Sequence, residues 1–547
     1  MSKNKKLRII PLGGLGEVGK NMMAYEYGDH ILVVDAGIMF PENDMLGVDY
    51  IIPDFQYLQD HAKKVAAIII THGHEDHIGA IRHLLDAINA PVYATPLTRG
   101  LIEVKLARNG SGVKADLHTV QAGDIVRIGP FEIEFFHVSH SIPDAVGLGI
   151  QTPVGLLVHT GDYKFDHTPV DNWPTDFARL AEYSQKGVAI LLADSTNAER
   201  PGWTPSEKII EPAFDEVMKN APGRVIIATF ASLISRMQQV GNAAIRNNRK
   251  MAFVGTSMVD NAKIALKLGY INIPEKTMVS LEEALNLPSR EVVLMCTGTQ
   301  GEPSSIIGRL SAGNNRQFDI RQDDTVVLSS HPIPGNEEAV GKTINRLLRR
   351  GANVIHDGIL PVHVSGHASQ EEQKLLLNLV KPKFFIPIHG ELRMLTRHAS
   401  LAKQVGVPAE NIVVVENGQV VELSEEGLSL GERIPGSYIF VEGSSIGDVD
   451  KDIMRERERL ARAGILLVDL SLDKNSNRLV HDPEIISRGF LSTEDSQKFI
   501  PSIREKVKQL VNVNGLDDEK LITDSIRTYL FQETKRRPMV FVTLSRV

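Results

Sequence analysis

The stretch Thr71-His72-Gly73-His74-Glu75-Asp76-His77-Ile78-Gly79 gathers three imidazoles and two carboxylates directly after the apolar run Ala67-Ile68-Ile69-Ile70. Imidazole nitrogens and a carboxylate are ligands that suit zinc or manganese. A strand that ends in a glycine-containing turn and opens a helix can aim His72, His74, Asp76 and His77 into one volume. Ligands at that density are enough for two ions. With 18 histidines in 547 residues, this arrangement arises by accident in about one such chain in a thousand, which disfavours histidines merely exposed in a loop.

One segment cannot close two metal sites, and three later residues are candidates to complete them. His140 follows a strand in His137-Val138-Ser139-His140-Ser141-Ile142-Pro143-Asp144, Asp162 follows another in His159-Thr160-Gly161-Asp162-Tyr163, and His389 ends the strand 384–388 before Gly390. A ligand at a strand exit is held within the tight tolerance a metal demands. Taken singly, a polar residue there is more often a cap or a turn residue. Their joint presence favours a metal centre.

The elements that must position these residues are legible as rhythm. Residues 1 to about 165 read as short strands with glycine-rich turns, at 21–27, 31–35, 66–71, 131–138 and 155–160, with a helix at 78–88. From 211 to 362 strands and helices alternate. The strands lie at 225–230, 251–255, 292–296, 325–330 and 353–355, and helices reach 249 and span 337–350. Such alternation predicts a parallel sheet covered by helices. A helix from Ser369 and the strand 384–388 follow, then a charged helix at 450–463 and a small α/β segment at 464–547.

Composition narrows the class. A chain of 547 residues with 42% hydrophobic and 23% charged residues is a globular protein of about three domains. The single cysteine, Cys296, excludes an internal disulfide, a Cys-based zinc finger and an iron-sulfur cluster. The balance of 60 basic and 68 acidic side chains, net -8, argues against coating nucleic acid by bulk charge, though a local basic groove remains compatible with it. Lys3, Lys5, Lys6 and Arg8 precede only Ile9, Ile10 and Leu12 before glycines begin, so no signal peptide is expected. No run of about 18 apolar residues offers a membrane span, and a cytoplasmic protein is expected.

The set His-x-His-x-Asp-His, His140 and Asp162 resembles the metallo-β-lactamase fold. The segments Asp194-Ser195-Thr196-Asn197-Ala198-Glu199-Arg200-Pro201-Gly202, His363-Val364-Ser365-Gly366-His367 and Pro387-Ile388-His389-Gly390 resemble its β-CASP nuclease branch. From the start, Pro11-Leu12-Gly13-Gly14-Leu15-Gly16-Glu17-Val18-Gly19-Lys20-Asn21, to the C-terminal domain, the chain is similar to the bacterial ribonuclease J family. The resemblance implies an α/β architecture: an αββα sandwich with an inserted, doubly wound β-CASP domain and a small C-terminal α/β domain. Residues 1–210 and 363–440 would form the sandwich, which sequence rhythm alone separates. Residues 211–362 would form the insert, 441–463 a linker and 464–547 the last domain.

By the same resemblance, His72, His74 and His140 hold one ion, Asp76, His77 and His389 the other, and Asp162 bridges them. Two divalent cations, zinc first and manganese as the alternative, would lower the pKa of a shared water and stabilise charge on a phosphoryl group. His367 is then the proton donor to the leaving 3′-oxygen, with Asp194 orienting it. The alternatives are a buried structural histidine for His367 and a turn cap for Asp194. Ser232, Arg236, His363, Ser365, Gly366 and Ser369 are the expected RNA-phosphate contacts.

Three further signals need weighing. Gly14-Leu15-Gly16-Glu17-Val18-Gly19 with Asp35 matches a dinucleotide fingerprint, but residues 22–27 look extended and leave no crossover helix. Asp35 is either a support for the metal loop or a turn carboxylate. The runs Arg346-Leu347-Leu348-Arg349-Arg350 and Lys535-Arg536-Arg537 read better as solvated faces than as RNA contacts. In Ala231-Ser232-Leu233-Ile234-Ser235-Arg236, Leu233 and Ser235 stand where the family pattern has a polar residue and a histidine, so a weakened grip on a 5′-phosphate is expected.

The reading is a metal-dependent ribonuclease, 5′-to-3′ exonuclease and endonuclease, acting in RNA maturation and decay. It is expected to form a homo-oligomer, a dimer or tetramer, and to meet other RNA-decay proteins. A catalytically weak RNA-binding subunit, a DNA-directed β-CASP nuclease and a hydrolase of small thioesters or lactones are the rivals.

Overall fold

The computed structural model describes residues 6–42, 45–108, 115–333, 335–513 and 518–547. Lys3 and Lys5 lie outside the described residues. Residues 1–40 with 50–439 form one compact unit, and 41–49 with 440–547 form a second.

In the first unit an eight-stranded and a six-stranded sheet carry the candidate ligands. The eight-stranded sheet runs Gly427–Arg433, Gln419–Ser424, Leu7–Gly13, Met22–Tyr27, His30–Val34, Val65–Ile69, Val92–Ala94, Leu117–Thr119. The six-stranded sheet runs Phe384–Ile388, Val188–Asp194, Gly155–His159, Val146–Thr152, Phe131–His137, Ile125–Ile128. Leu7, Tyr25, Val34 and Ile69 of the first sheet and Phe135, Leu148, Ile190 and Ile386 of the second share one buried core. The central strands contribute alternate residues to that core, such as Leu7 and Ile9, Val146, Leu148 and Ile150, and Ile190 and Leu192, as period-two geometry requires. The opposite face of the six-stranded sheet buries Val158, Leu191 and Phe385 under Leu180 of the helix Phe177–Lys186, Leu376 of Gln370–Val380 and Ala402 of Leu392–Gln404.

The two parts of the sandwich, far apart in sequence, are joined by backbone pairing. Phe384–Ile388 lies parallel to Val188–Asp194, with Ile388 opposite Asp194, and Gln419–Ser424 lies antiparallel to Leu7–Gly13. The intervening chain forms a wholly parallel five-stranded sheet, ordered Lys250–Phe253, Val292–Cys296, Val225–Ala228, Thr325–Leu328, Asn353–His356. Its central strands are buried throughout, the pattern of a sheet covered on both faces.

The helix expected at 78–88 is instead two pieces, Glu75–Ile78 and Ile81–Ala87. The Asp76 carbonyl accepts from the Asn21 backbone N–H, and the Ala80 N–H donates to Ala36. Both groups are thereby withdrawn from a continuous helical ladder.

The second unit has a core of its own. The strand Ile465–Leu472 pairs antiparallel with Glu484–Arg488 and parallel with Met539–Arg546. The helices Thr493–Lys508 and Glu519–Thr534 bury Ile503 and Ile526 against Leu466, Val468 and Val540. Among the described residues no helix is long and apolar enough to cross a membrane.

Candidate metal centre

Two adjacent parallel strands, His30–Val34 and Val65–Ile69, end side by side with Val34 opposite Ile69. Beyond them Asp35, in the left-handed region at φ 65°, turns its carboxylate under the metal loop. Asp35 Oδ1 accepts from the Thr71 N–H at 2.8 Å, while Oδ2 accepts from Thr71 Oγ1 at 2.9 Å and pairs with His77 Nδ1 at 2.7 Å. The carboxylate is therefore both things its position suggested, a turn residue and the partner of a candidate ligand. Gly37 lets this loop close: a Cβ there would lie 1.6 Å from the Asp76 carbonyl oxygen.

His72 Nε2 and His140 Nε2 each lie 3.1 Å from His74 Nδ1. Asp162 Oδ2 stands 3.7 Å from both of those Nε2 atoms and 3.2 Å from His77 Nε2. On its other side Asp162 Oδ1 meets His389 Nδ1 at 2.8 Å. Asp76 Oδ2 lies 3.6 Å from His77 Nε2 and 3.4 Å from His389 Nε2. His72, His74, His140 and Asp162 thus make one group, Asp76, His77, Asp162 and His389 a second, and Asp162, Asp194, His367 and His389 a third. Asp162 is common to all three.

This donor set fits divalent ions. Ligand atoms about 3.3 Å apart are what metal–nitrogen bonds of ~2.0–2.1 Å produce in a tetrahedron. His389 Nε2 is buried and makes no well-formed hydrogen bond, its near neighbour being Asp76 Oδ2 at 3.4 Å, and a cation held between the two would satisfy both.

Electrostatics separates the imidazoles. Burial, reinforced by neighbouring imidazoles, holds His72 and His140 well below the usual histidine range, and burial lowers His74 to about 4. These three present neutral rings. Burial opposes charge on His77 and His389 too, but Asp162 with Asp35 and Asp76 outweighs it at His77. Asp162 and Asp76 do the same at His389, which is pushed up to about 10. Burial would raise the Asp162 carboxyl, yet His389 and His77 hold it well below its ordinary value. The centre is a buried carboxylate cluster that demands positive charge.

The residues around the ligands are equally ordered. His140 Nδ1 donates to the Gly366 carbonyl at 2.7 Å, and a Cβ on Gly366 would approach the His140 ring to 2.6 Å. His367 Nδ1 meets Asp194 Oδ2 at 2.7 Å, with the His367 side chain 20% exposed. Burial disfavours charge on His367, but the Asp194 charge and hydrogen bond raise its pKa. Asp194 is also a turn cap, because Oδ1 accepts from the Thr196 N–H and hydroxyl. Two asparagines that the ligand pattern did not single out belong here. Asn197 Nδ2 donates to Ser365 Oγ and to the His367 carbonyl, and Asn21 Nδ2 lies 3.1 Å from His77 Nε2 and from the Asp76 carbonyl oxygen. Both sit inside recognisable motifs, but amides are weak ligands and give no metal signal.

The expected phosphate contacts divide. Ser365 and Gly366 lie beside His367 and His140. Arg236 is turned inward, 1% exposed, donating to Ser329 and the Val362 carbonyl and paired with Glu207. It ties the insert to the strand exits and does not offer its guanidinium to RNA, a correction that follows from its burial. Ser369 is likewise buried, opening the helix Gln370–Val380 with its N–H on Glu372 and its hydroxyl on Thr204. His363 packs against His331 at 4.8 Å between ring centres, and burial with Arg236 nearby holds it well below the usual range. Ser232 is 9% exposed, and Leu233, at 4%, is a core residue and not a vacated phosphate contact. Ser235 lines a narrow pocket with His140 and Lys164.

The dinucleotide-like glycines lead straight into the strand Met22–Tyr27. Arg350 pairs with Asp319, while Lys535 and Arg537 lie over the Phe531 ring.

Comparison with known proteins agrees with this architecture. Residues 15–195 match the metallo-beta-lactamase superfamily, 222–347 the ribonuclease J beta-CASP domain, 354–414 the Zn-dependent metallo-hydrolase RNA specificity domain, and 452–547 the ribonuclease J C-terminal domain. The chain is 41% identical to ribonuclease J2 of Bacillus subtilis, over 99% of each chain. It is 40% identical to ribonuclease J 1 of Streptococcus pyogenes, over 98% of this chain and 97% of that one. With ribonuclease J of Synechocystis it shares 45% identity over 90% of this chain and 77% of the other. In fold it resembles a protein of unknown function from Enterococcus faecalis, with TM-score 0.54 and 13% identity over 76% of this chain and all of that one. Matches that follow one another along the chain in the order of sandwich, insert, returning strand and last domain, with identity of 40% and more to whole relatives, place the chain in the ribonuclease J family.

Proposed function

We propose that the chain hydrolyses RNA phosphodiesters at a centre for two divalent ions, as a 5′-to-3′ exonuclease and as an endonuclease, in RNA maturation and decay. A member of this family with these metallo-hydrolase domains is a metal-dependent ribonuclease. The observation that carries the mechanism is the convergence of two groups of ligand atoms on Asp162. His72, His74 and His140 would hold one ion and Asp76, His77 and His389 the other, with Asp162 within reach of both. Zinc is the first choice and manganese the alternative.

When bound, the ions supply an activated water at neutral pH and neutralise charge on the phosphoryl group. The remaining steps belong to side chains. His367 gives its Nε2 proton to the departing 3′-oxygen, and Asp194 holds Nδ1 so that Nε2 faces outward. The Gly366 carbonyl fixes the His140 tautomer, and Asn197 pins the loop that carries His367. Ser365 and the main chain near Gly366 contact the RNA phosphate. Domain limits of 1–210 with 363–440, 211–362 and 464–547, a cytoplasmic location and a dimer or tetramer complete the reading.

The test is cleavage of a 5′-labelled RNA, with products resolved by length beside a DNA strand of the same sequence. The expected result is labelled mononucleotide together with internal fragments from RNA, both lost in chelator and restored by zinc or manganese. Unchanged cleavage in chelator, or equal cleavage of DNA, overturns the proposal.

A further inference from the structure

The chain has two tryptophans, Trp173 and Trp203, and they are 44% and 48% exposed. An indole is costly to leave in water, and exposed aromatic faces on loops fastened to a catalytic centre mark a binding surface. The loops that carry them are fastened to each other. The Glu207 N–H donates to Asp166 Oδ2 at 3.0 Å, the Thr168 hydroxyl to Ser206 Oγ at 3.0 Å, and Lys208 Nζ lies 3.4 Å from Asn172 Oδ1.

Each loop is also fastened to the candidate centre. Ser139, which precedes the candidate ligand His140, donates its N–H to the Thr175 hydroxyl oxygen and its own hydroxyl to the Trp173 carbonyl. On the other side, the Thr204 hydroxyl donates to the His367 carbonyl at 2.7 Å. The rings themselves are steadied: Trp173 lies flat on His137, 3.9 Å between centres and 6° between planes, and His167 stands 6.1 Å from Trp203. Between the loops and the centre lies a narrow, largely buried pocket lined by His140, Lys164, Asp166, Asp171, Glu207 and Ser235, so the two loops and the centre share one packed wall.

We infer that Trp173 and Trp203 are stacking sites for nucleobases of the single-stranded RNA whose backbone lies at His140 and His367. Bases stack on aromatic faces whatever their sequence, which suits a nuclease that must accept many RNAs. The inference rests on the ribonuclease reading and adds a base-binding surface to it.

Because the chain has no other tryptophan, its own fluorescence reports on these two sites alone. The metal-loaded chain of residues 1–547 is titrated with a phosphorothioate oligouridylate of about 12 nucleotides, and binding is followed in parallel by anisotropy of a labelled copy. Quenching should saturate together with the anisotropy, and an abasic strand of the same length should bind more weakly and leave the fluorescence unchanged. Trp173→Ala and Trp203→Ala should each weaken binding about fivefold or more, with Trp173→Tyr and Trp203→Phe restoring most of it.

RNA that binds and is cut with no fluorescence change, or an abasic strand that quenches equally, overturns the stacking sites and leaves the ribonuclease reading intact. Absence of both binding and cleavage by the wild-type chain overturns that reading and the inference with it. Fluorescence that shifts with protein concentration and then ignores RNA identifies the surface as a contact between copies of the chain, which also overturns the inference.

Discussion

The Asp35 carboxylate decides which nitrogen of His77 carries a proton. With Nδ1–H donated to Asp35 Oδ2, Nε2 is the nitrogen turned toward Asp162 and Asp76, where a bound cation would take the place of its proton. Asp35→Asn should therefore lower metal affinity by about 10- to 100-fold without removing a ligand, as read by competition with a chelator of known affinity. Retained wild-type affinity would make Asp35 a turn residue only. His367 is a different case, since it borders the ligands but is assigned a proton. His367→Ala should slow the chemical step by about 10²- to 10⁴-fold with metal content unchanged, and Asp194→Asn should slow it less. Single-turnover rates at saturating RNA decide the matter: a normal rate in the alanine variant removes His367 from the mechanism.

At the scale of elements, the turn after the strand Val225–Ala228 is the informative one. The helix Ile234–Arg246 begins there, with Leu233 buried at its start and the half-buried Ser235 lining the narrow pocket beside His140. Only one of the two departures from the family pattern therefore lies where a phosphate contact could be lost. Ser235→His should raise the exonucleolytic rate on 5′-monophosphorylated RNA more than on hydroxyl-ended RNA, measured on matched strands. Leu233→Asn should instead place an amide in the core and cost roughly 2–4 kcal/mol, seen as a lower denaturant midpoint. A Leu233→Asn chain of unchanged stability would show that this residue is not packed as described.

The whole molecule divides into units with separate cores. Residues 466–542 contain the buried cluster of the second unit, and among the described residues no candidate metal group falls within it. Truncation after residue 450 should leave the metal content of the remaining chain unchanged and lower the oligomeric state, as light scattering would report. An unchanged oligomer would assign assembly to the first unit.

How far the sequence carried this protein differs from residue to residue. His72, His74, Asp76 and His77 were legible because one short segment holds them, and a local pattern survives in a linear string. The exits of the strands carrying His140, Asp162 and His389 were legible as strand ends, because apolar runs of that length have few alternatives. The family motifs named the rest of the candidate centre, but not its working contacts. That Asp35 serves His77, that Gly366 lends its carbonyl to His140, and that Arg236, Ser369 and Leu233 turn inward depended on tertiary structure. The pairing of residues 384–388 with 188–194 was equally out of reach of the rhythm, which separated those segments. The physical reason is common to all of these: each is decided by which groups meet across a long loop. Side-chain type and local periodicity state what a residue can bond, whereas burial and the partner opposite determine what it does bond.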